Sequence, residues 1–206
     1  YARLKEMGFD GIELPIFDPN PEKFAKLGAR LDDLGLERTA ITTCNPQDDP
    51  ISPDAAIRKT ATERPHRVVD CCEAVGSSLL GGPLYAAIGQ FSGAGPTEAE
   101  WERSLSVIGS VADHAARADI GLTLEFLNRF EIYLLNSTAD TARYVRELNR
   151  PNVGIHYDTF HAHIEEKNSP AAIQAHADAI THVHISENDR STPGSGQVAW
   201  EHTFDA

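Results

Sequence analysis

Positive charge is scarce in this sequence: 18 Lys and Arg stand against 31 Asp and Glu, for a formal net charge of −13. A phosphate backbone is bound by clustered Lys and Arg that release its counterions, so this balance argues against nucleic acid as the main partner. Cysteine is rare as well. Cys44, Cys71 and Cys72 form neither a disulfide framework nor a spaced zinc motif, and are expected as small buried side chains in a reducing cytoplasm. No apolar run approaches the roughly 18 residues of a membrane span, and the N-terminus lacks a signal-peptide pattern. Missing too is the Gly-rich phosphate loop that usually follows the first strand of an open doubly wound sheet. What remains is ordinary for a globular chain, 41% hydrophobic and 24% charged over 206 residues, enough for one domain or most of one.

Local patterns alternate between strand and helix. GIEL (residues 11–14), Arg38–Thr43, Ser78–Gly82, Leu122–Glu125, Val153–Asp158 and His182–Ile185 are strand-like. Asn20-Pro21 and Ser52-Pro53 offer cap-then-proline starts, and Thr97-x-x-Glu100 a capping box. The helices should bury Phe24, Leu27, Leu31 and Leu34; Trp101, Leu105, Ile108 and Ala112; and Ile173, Ala177 and Ile180. Pro65 should kink or split the long helix that ends before Gly76. Residues 83–96 are too rich in Gly, Pro and aromatics for a regular element and suggest a lid, with Tyr85 and Phe91 placed to cover a ligand. Alternating βα units without the phosphate loop predict an α/β fold, a (β/α)8 TIM barrel. A complete barrel takes about 250 residues, so residues 1–206 are expected to be a single partial barrel domain of six strands, with the first and eighth missing.

The chemistry concentrates between Gly121 and Arg190. Side chains alternate across a strand, so Thr123 and Glu125 share one face, as do Gly154, His156 and Asp158, and likewise His182 and His184. Parallel strands carry their chemistry at their carboxyl ends. Glu125, Asp158 and His184 therefore form a candidate metal set of two carboxylates and an imidazole. Such donors suit Mn²⁺, Co²⁺ or Mg²⁺. Taken alone, the three could also be scattered polar strand ends.

A second polar group follows each of them. LEFLNRFEIYLLN (124–136) brings Glu131, HYDTFHAHIEE (156–166) brings His161, and HVHISENDRSTPGSG (182–196) brings Arg190. Together these stretches resemble the D-tagatose/D-psicose (allulose) 3-epimerase group of the xylose-isomerase-like sugar isomerases and epimerases. The likeness is dense from Glu125 to Gly196 and looser over nearly all the chain. It implies a metal held by Glu125, Asp158, His184 and one further glutamate. Glu125 would be a catalytic acid/base, and Glu131, His161 and Arg190 would hold the O1/O2 end of a free ketose during C3 epimerisation through a cis-enediolate. The fourth glutamate belongs on the eighth strand and is not expected before Ala206; Glu201, at a helix start, does not replace it. The resemblance also implies a homo-oligomer.

Other residues receive humbler expectations. Glu13 faces inward as a supporting carboxylate, and His156 and His182 as interior groups beside the ligands. His163, Glu165 and Glu166 are expected in a loop. Glu187, Asn188 and Asp189 should shape the turn that aims Arg190, and His66, His114, His176 and His202 should lie on helix surfaces. Two enzymes of the same scaffold, a hydroxypyruvate isomerase and an inosose dehydratase, are rival readings, as is a barrel fragment without turnover. A nuclease of the endonuclease IV type would need more ligands and a basic groove.

Overall fold

A computed structural model describes residues 1–206. Six parallel strands pair in chain order: β1 (Gly11–Pro15), β2 (Glu37–Ile41), β3 (Leu79–Gly82), β4 (Gly121–Glu125), β5 (Val153–Asp158) and β6 (Ile180–His184). Helices α1 (Ala2–Glu6), α2 (Pro21–Leu34), α3 (Ala55–Val75), α4 (Glu98–Arg117), α5 (Thr138–Leu148), α6 (Thr159–Glu165), α7 (Ser169–His176) and α8 (Trp200–Phe204) complete the chain. The sheet curls. Glu13 on β1 reaches His184 on β6 at 2.6 Å and His182 at 3.0 Å across its inner face. This is an incomplete TIM barrel with helices outside.

The local signals act as their chemistry requires. Asn20 accepts from Lys23 N with Pro21 in the first turn, and Thr97 and Glu100 satisfy one another's backbone. Helix α3 starts later than expected: Asp54, not Ser52, caps it through Ala56 N. Its Pro65 neither splits nor ends it, and the helix runs unbroken for 21 residues. The proline ring is buried, and core packing outweighs the lost helical hydrogen bond.

Leu14, Leu80, Leu122, Leu124, Ile155 and Tyr157 face outward from the sheet into the helix-covered core. The last unit is thinner than its pattern suggests. Helix α7 buries no residue completely, Ala177 lies exposed beyond its end, and Ile180 begins β6 instead. Val183 and Ile185, pointing outward from β6 and its continuation, are each 49% exposed.

Strands β5 and β6 pair Ile155 with Ile180 but His156 with His182, leaving Thr181 as a bulge. A bulge re-aims the residues that follow it. Here it sets His182 beside His156 and His184 beside Asp158. Gly154 makes room for it, because a Cβ there would come within 2.3 Å of Thr181 Oγ1.

Residues 83–96 are irregular, but only their second half is exposed. Tyr85 is not a lid residue. It is fully buried, its phenol donates to Leu135 O at 3.1 Å, and it receives Leu127 N at 3.3 Å. A buried hydroxyl needs such partners, and these pin the loop after β4. Phe91 is half-exposed beside Tyr133. His66 and His114 are not free surface groups either. Their rings stack at 4.4 Å between α3 and α4, and His114 contacts Asp70 at 2.8 Å.

The segment after β5 is helix α6, not a loop. Asp158 caps it through Phe160 N at 2.7 Å. Glu165 points back to the loop after β4, where it binds Arg129, and Glu166 accepts from Thr138 N and Oγ1 at the start of α5. No helix is long and apolar enough to cross a membrane.

Candidate metal centre and active site

All six residues singled out in the sequence meet at one cleft of about 270 Å³ at the carboxyl ends of the strands. Glu125 ends β4, Asp158 ends β5 and caps α6, and His184 ends β6. Their ligating atoms lie within 4.8 Å of one another. His184 Nδ1 stands 3.9 Å from Glu125 Oε1 and 3.9 Å from Asp158 Oδ2. An octahedral ion with bonds of about 2.1 Å would space its ligands by about 3–4 Å, so the three converge as a divalent cation requires.

Charge points the same way. Glu125 is 5% exposed, yet no donor lies within hydrogen-bond distance of its carboxylate. The nearest nitrogens are His161 Nε2 at 3.7 Å and His156 Nδ1 and His184 Nδ1 at 3.9 Å. Burial, with the nearby Asp158 charge, pushes its pKa up to about 8. Asp158 is also raised, chiefly by burial. Two carboxylates buried side by side, Glu125 with no donor and Asp158 with the Phe160 N–H on its other oxygen, are costly, and a divalent cation between them removes the conflict. The residues present fit a metal.

Glu13 orients the imidazole ligand. Its Oε1 accepts from His184 Nε2, which places the proton on Nε2 and leaves the Nδ1 lone pair facing Glu125 and Asp158. Burial opposes the Glu13 charge, but the bonds to His182 and His184 prevail and hold its carboxyl well below the usual range. Those same contacts raise His184 against its own burial.

Around this triad the remaining groups are fixed by hydrogen bonds. His161 Nδ1 accepts from Asn128 N at 3.0 Å, so its Nε2 carries the proton and faces the cleft. Burial and then the Arg190 charge lower its pKa to about 3, keeping the ring neutral. Asn128 also donates to Glu131 Oε1 at 2.8 Å, and so sets two cleft residues at once. The sequence reading assigned Asn128 no role, although it lies within the NRFE stretch. Arg190 has a left-handed φ of 64°. Its guanidinium stacks 3.8 Å over Phe160 and lies 3.5 Å from Asp158 Oδ2.

The turn behind Arg190 is built on Glu187. That carboxylate accepts from Gly194 N, Val198 N and Trp200 Nε1. Enclosure raises its pKa, but these donors outweigh that and bring it down to about 2. Gly196 is required beside it, since a Cβ would come within 2.6 Å of Glu187 Oε2. A larger cleft of about 660 Å³ between α6, α7 and α8 holds none of the six residues.

Over residues 1–206 the sequence matches the family model described as xylose isomerase-like TIM barrel. The chain belongs to this family. It is 34% identical over 204 residues to a ketose 3-epimerase of Arthrobacter globiformis, covering 99% of this chain and 70% of that protein. It is 36% identical over 206 residues to an L-ribulose 3-epimerase of Mesorhizobium japonicum, covering 100% and 69%. The crystal structure of a Methylomonas D-allulose 3-epimerase in complex with D-allulose superposes with a TM-score of 0.93 at 29% identity, covering 100% of this chain and 71% of that one. The family relationship supports sugar epimerase activity, with a small sugar as partner.

Proposed function

We propose that the chain carries the metal- and substrate-binding side of an enzyme that epimerises a free ketose at C3. The supporting observation is the meeting of six residues from three successive strand ends around a buried carboxylate that has no donor of its own. Glu125, Asp158 and His184 would hold Mn²⁺ or Co²⁺, with Mg²⁺ as the third choice for such donors. When bound, the cation supplies charge stabilisation for adjacent carbonyl and hydroxyl oxygens.

The chain's own residues do the rest. Glu125 takes or returns the C3 proton, which is labile because C3 adjoins a carbonyl and its loss gives a cis-enediolate. His161 donates from Nε2 to a sugar oxygen, while Asn128 keeps its other nitrogen occupied. Arg190 and Glu131 fix the O1/O2 end, Arg190 by its fork of donors and Glu131 as an acceptor steadied by Asn128. Inversion requires a second acid on the opposite face of the sugar. Glu13 does not serve, because His182 and His184 take both its oxygens. The family resemblance assigns that role to a glutamate on a strand later than β6.

The test is proton exchange in D2O with Mn²⁺ and a fructose-like ketose, read by NMR. Deuterium should enter at C3, and Glu125→Gln should abolish its entry. Exchange at another carbon or loss of water would favour a different reaction on this scaffold. Stoichiometric Mn²⁺ binding without any exchange would favour a non-catalytic chain.

A further inference from the structure

Beneath the triad, deeper in the curl of the sheet, lies a second group of ligating side chains, His156 on β5 with His182 and His184 on β6, and Glu13 on β1 is hydrogen-bonded to the last two. One nitrogen from each imidazole falls within 4.8 Å of the others. The His156 ring lies 3.9 Å from that of His184 and 4.7 Å from that of His182, edge to face in both cases. His156 is completely buried, and neither of its nitrogens has a hydrogen-bond partner. A buried imidazole with two unmet polar atoms is costly. Gly81 keeps the space beside it open, since a Cβ there would come within 3.2 Å of His156 Nδ1. Glu13 already spans two imidazoles, at 2.6 and 3.0 Å, with Thr39 Oγ1 donating to the same carboxylate at 3.0 Å.

We propose that His156, His182 and His184 form a second metal site, selective for an azaphilic ion such as Zn²⁺ over Mn²⁺. Three neutral imidazoles are donors that borderline ions prefer, whereas oxygen-rich sets suit Mn²⁺ and Mg²⁺. A neutral imidazole has one lone pair. His184 therefore turns Nδ1 to the upper triad or Nε2 to the lower group, but does not serve both at once. Zn²⁺ in the lower site withdraws a ligand from the upper one, and the two ions exclude each other. This competition rests on reading Glu125, Asp158 and His184 as the metal centre; the lower site itself does not.

The experiment titrates metal-free protein with Zn²⁺ and, separately, Mn²⁺ by calorimetry. Co²⁺ absorption reports whether the ion sits in an imidazole-rich tetrahedral field. Glu125→Gln/Asp158→Asn should lose Mn²⁺ yet still bind one Zn²⁺ with little change in affinity, and its Co²⁺ form should show intense tetrahedral bands. His156→Phe should lose Zn²⁺ affinity by at least roughly 10–100-fold while still binding Mn²⁺, and that retained binding shows the fold is intact. His182→Asn, at the sheet edge, provides the same reading if His156→Phe does not fold. The proposal is overturned if Zn²⁺ binding disappears in the double variant and persists in His156→Phe and His182→Asn, because one site would then hold both ions.

Discussion

At the scale of single residues, the cleft depends on Glu125 being buried without a donor. In the unfolded chain its carboxyl ionises at the ordinary 4.5, while in the metal-free fold it keeps its proton to about 8. Between these values the unfolded state binds fewer protons, so this group lowers stability as pH rises through that window. Urea unfolding in a chelator should show that fall, and Glu125→Gln should flatten it. Proton and metal compete for the same carboxylate, so Mn²⁺ affinity should climb with pH up to about 8. Glu125→Gln or His184→Ala should cost at least roughly 10-fold in Mn²⁺ affinity, and His202→Ala, on exposed α8, nothing. Arg190 separates binding from chemistry. Its guanidinium faces the cleft and would contact sugar oxygens, so Arg190→Ala should lower ketose turnover by about 10²–10³-fold while metal content stays near normal. Loss of metal together with activity would make Arg190 a support for Asp158 instead.

At the scale of elements, the bulge at Thr181 decides which way β6 presents its imidazoles. The bulge exists because Gly154 leaves a gap for the Thr181 side chain, whose Oγ1 also reaches Thr123 Oγ1 at 3.2 Å. Gly154→Ala should therefore cost about 1–3 kcal/mol by overpacking, read as a lower urea midpoint. Thr181→Ala in the same chain should recover part of that loss, since it removes the two closest atoms. Helix α6 plays a complementary part. It turns Glu165 onto the loop after β4 and Glu166, just past its end, onto the start of α5, so the segment carrying His161 also braces the segment carrying Glu131.

At the scale of the whole molecule, β1 and β6 each pair with one neighbour only, and Val183 and Ile185 stay half-exposed on the outer side of β6. Unpaired strand edges template pairing with other chains. Phe17, Phe91 and Phe130, exposed by 58%, 50% and 75%, stand on loops that leave the carboxyl ends of β1, β3 and β4. Residues 1–206 expressed alone should thus self-associate, with an elution volume on size-exclusion chromatography that shifts with concentration. A monomer at every concentration would show that the curl through Glu13, His182 and His184 protects the edges by itself. We propose homo-oligomerisation for the encoded protein, to be read by light scattering.

Six strands, most helix starts and the face on which Glu125, Asp158 and His184 lie were legible in the residue pattern alone. These follow from period-two alternation, capping side chains and βα spacing, all of which act over a few residues. The family was legible there too, through three stretches whose polar residues sit at fixed offsets from the strand ends. Other features belonged to the tertiary structure. Tyr85 looks like a loop aromatic until Leu127 and Leu135 come to its hydroxyl, and DTFHAHIE looks like a polar loop until Asp158 caps it. His66 and His114 become neighbours only when α3 packs on α4. Glu13 shows the limit most plainly: its partner His184 lies 171 residues away in the chain. No local periodicity reports such a contact, because only the curl of the sheet brings carboxylate and imidazole together.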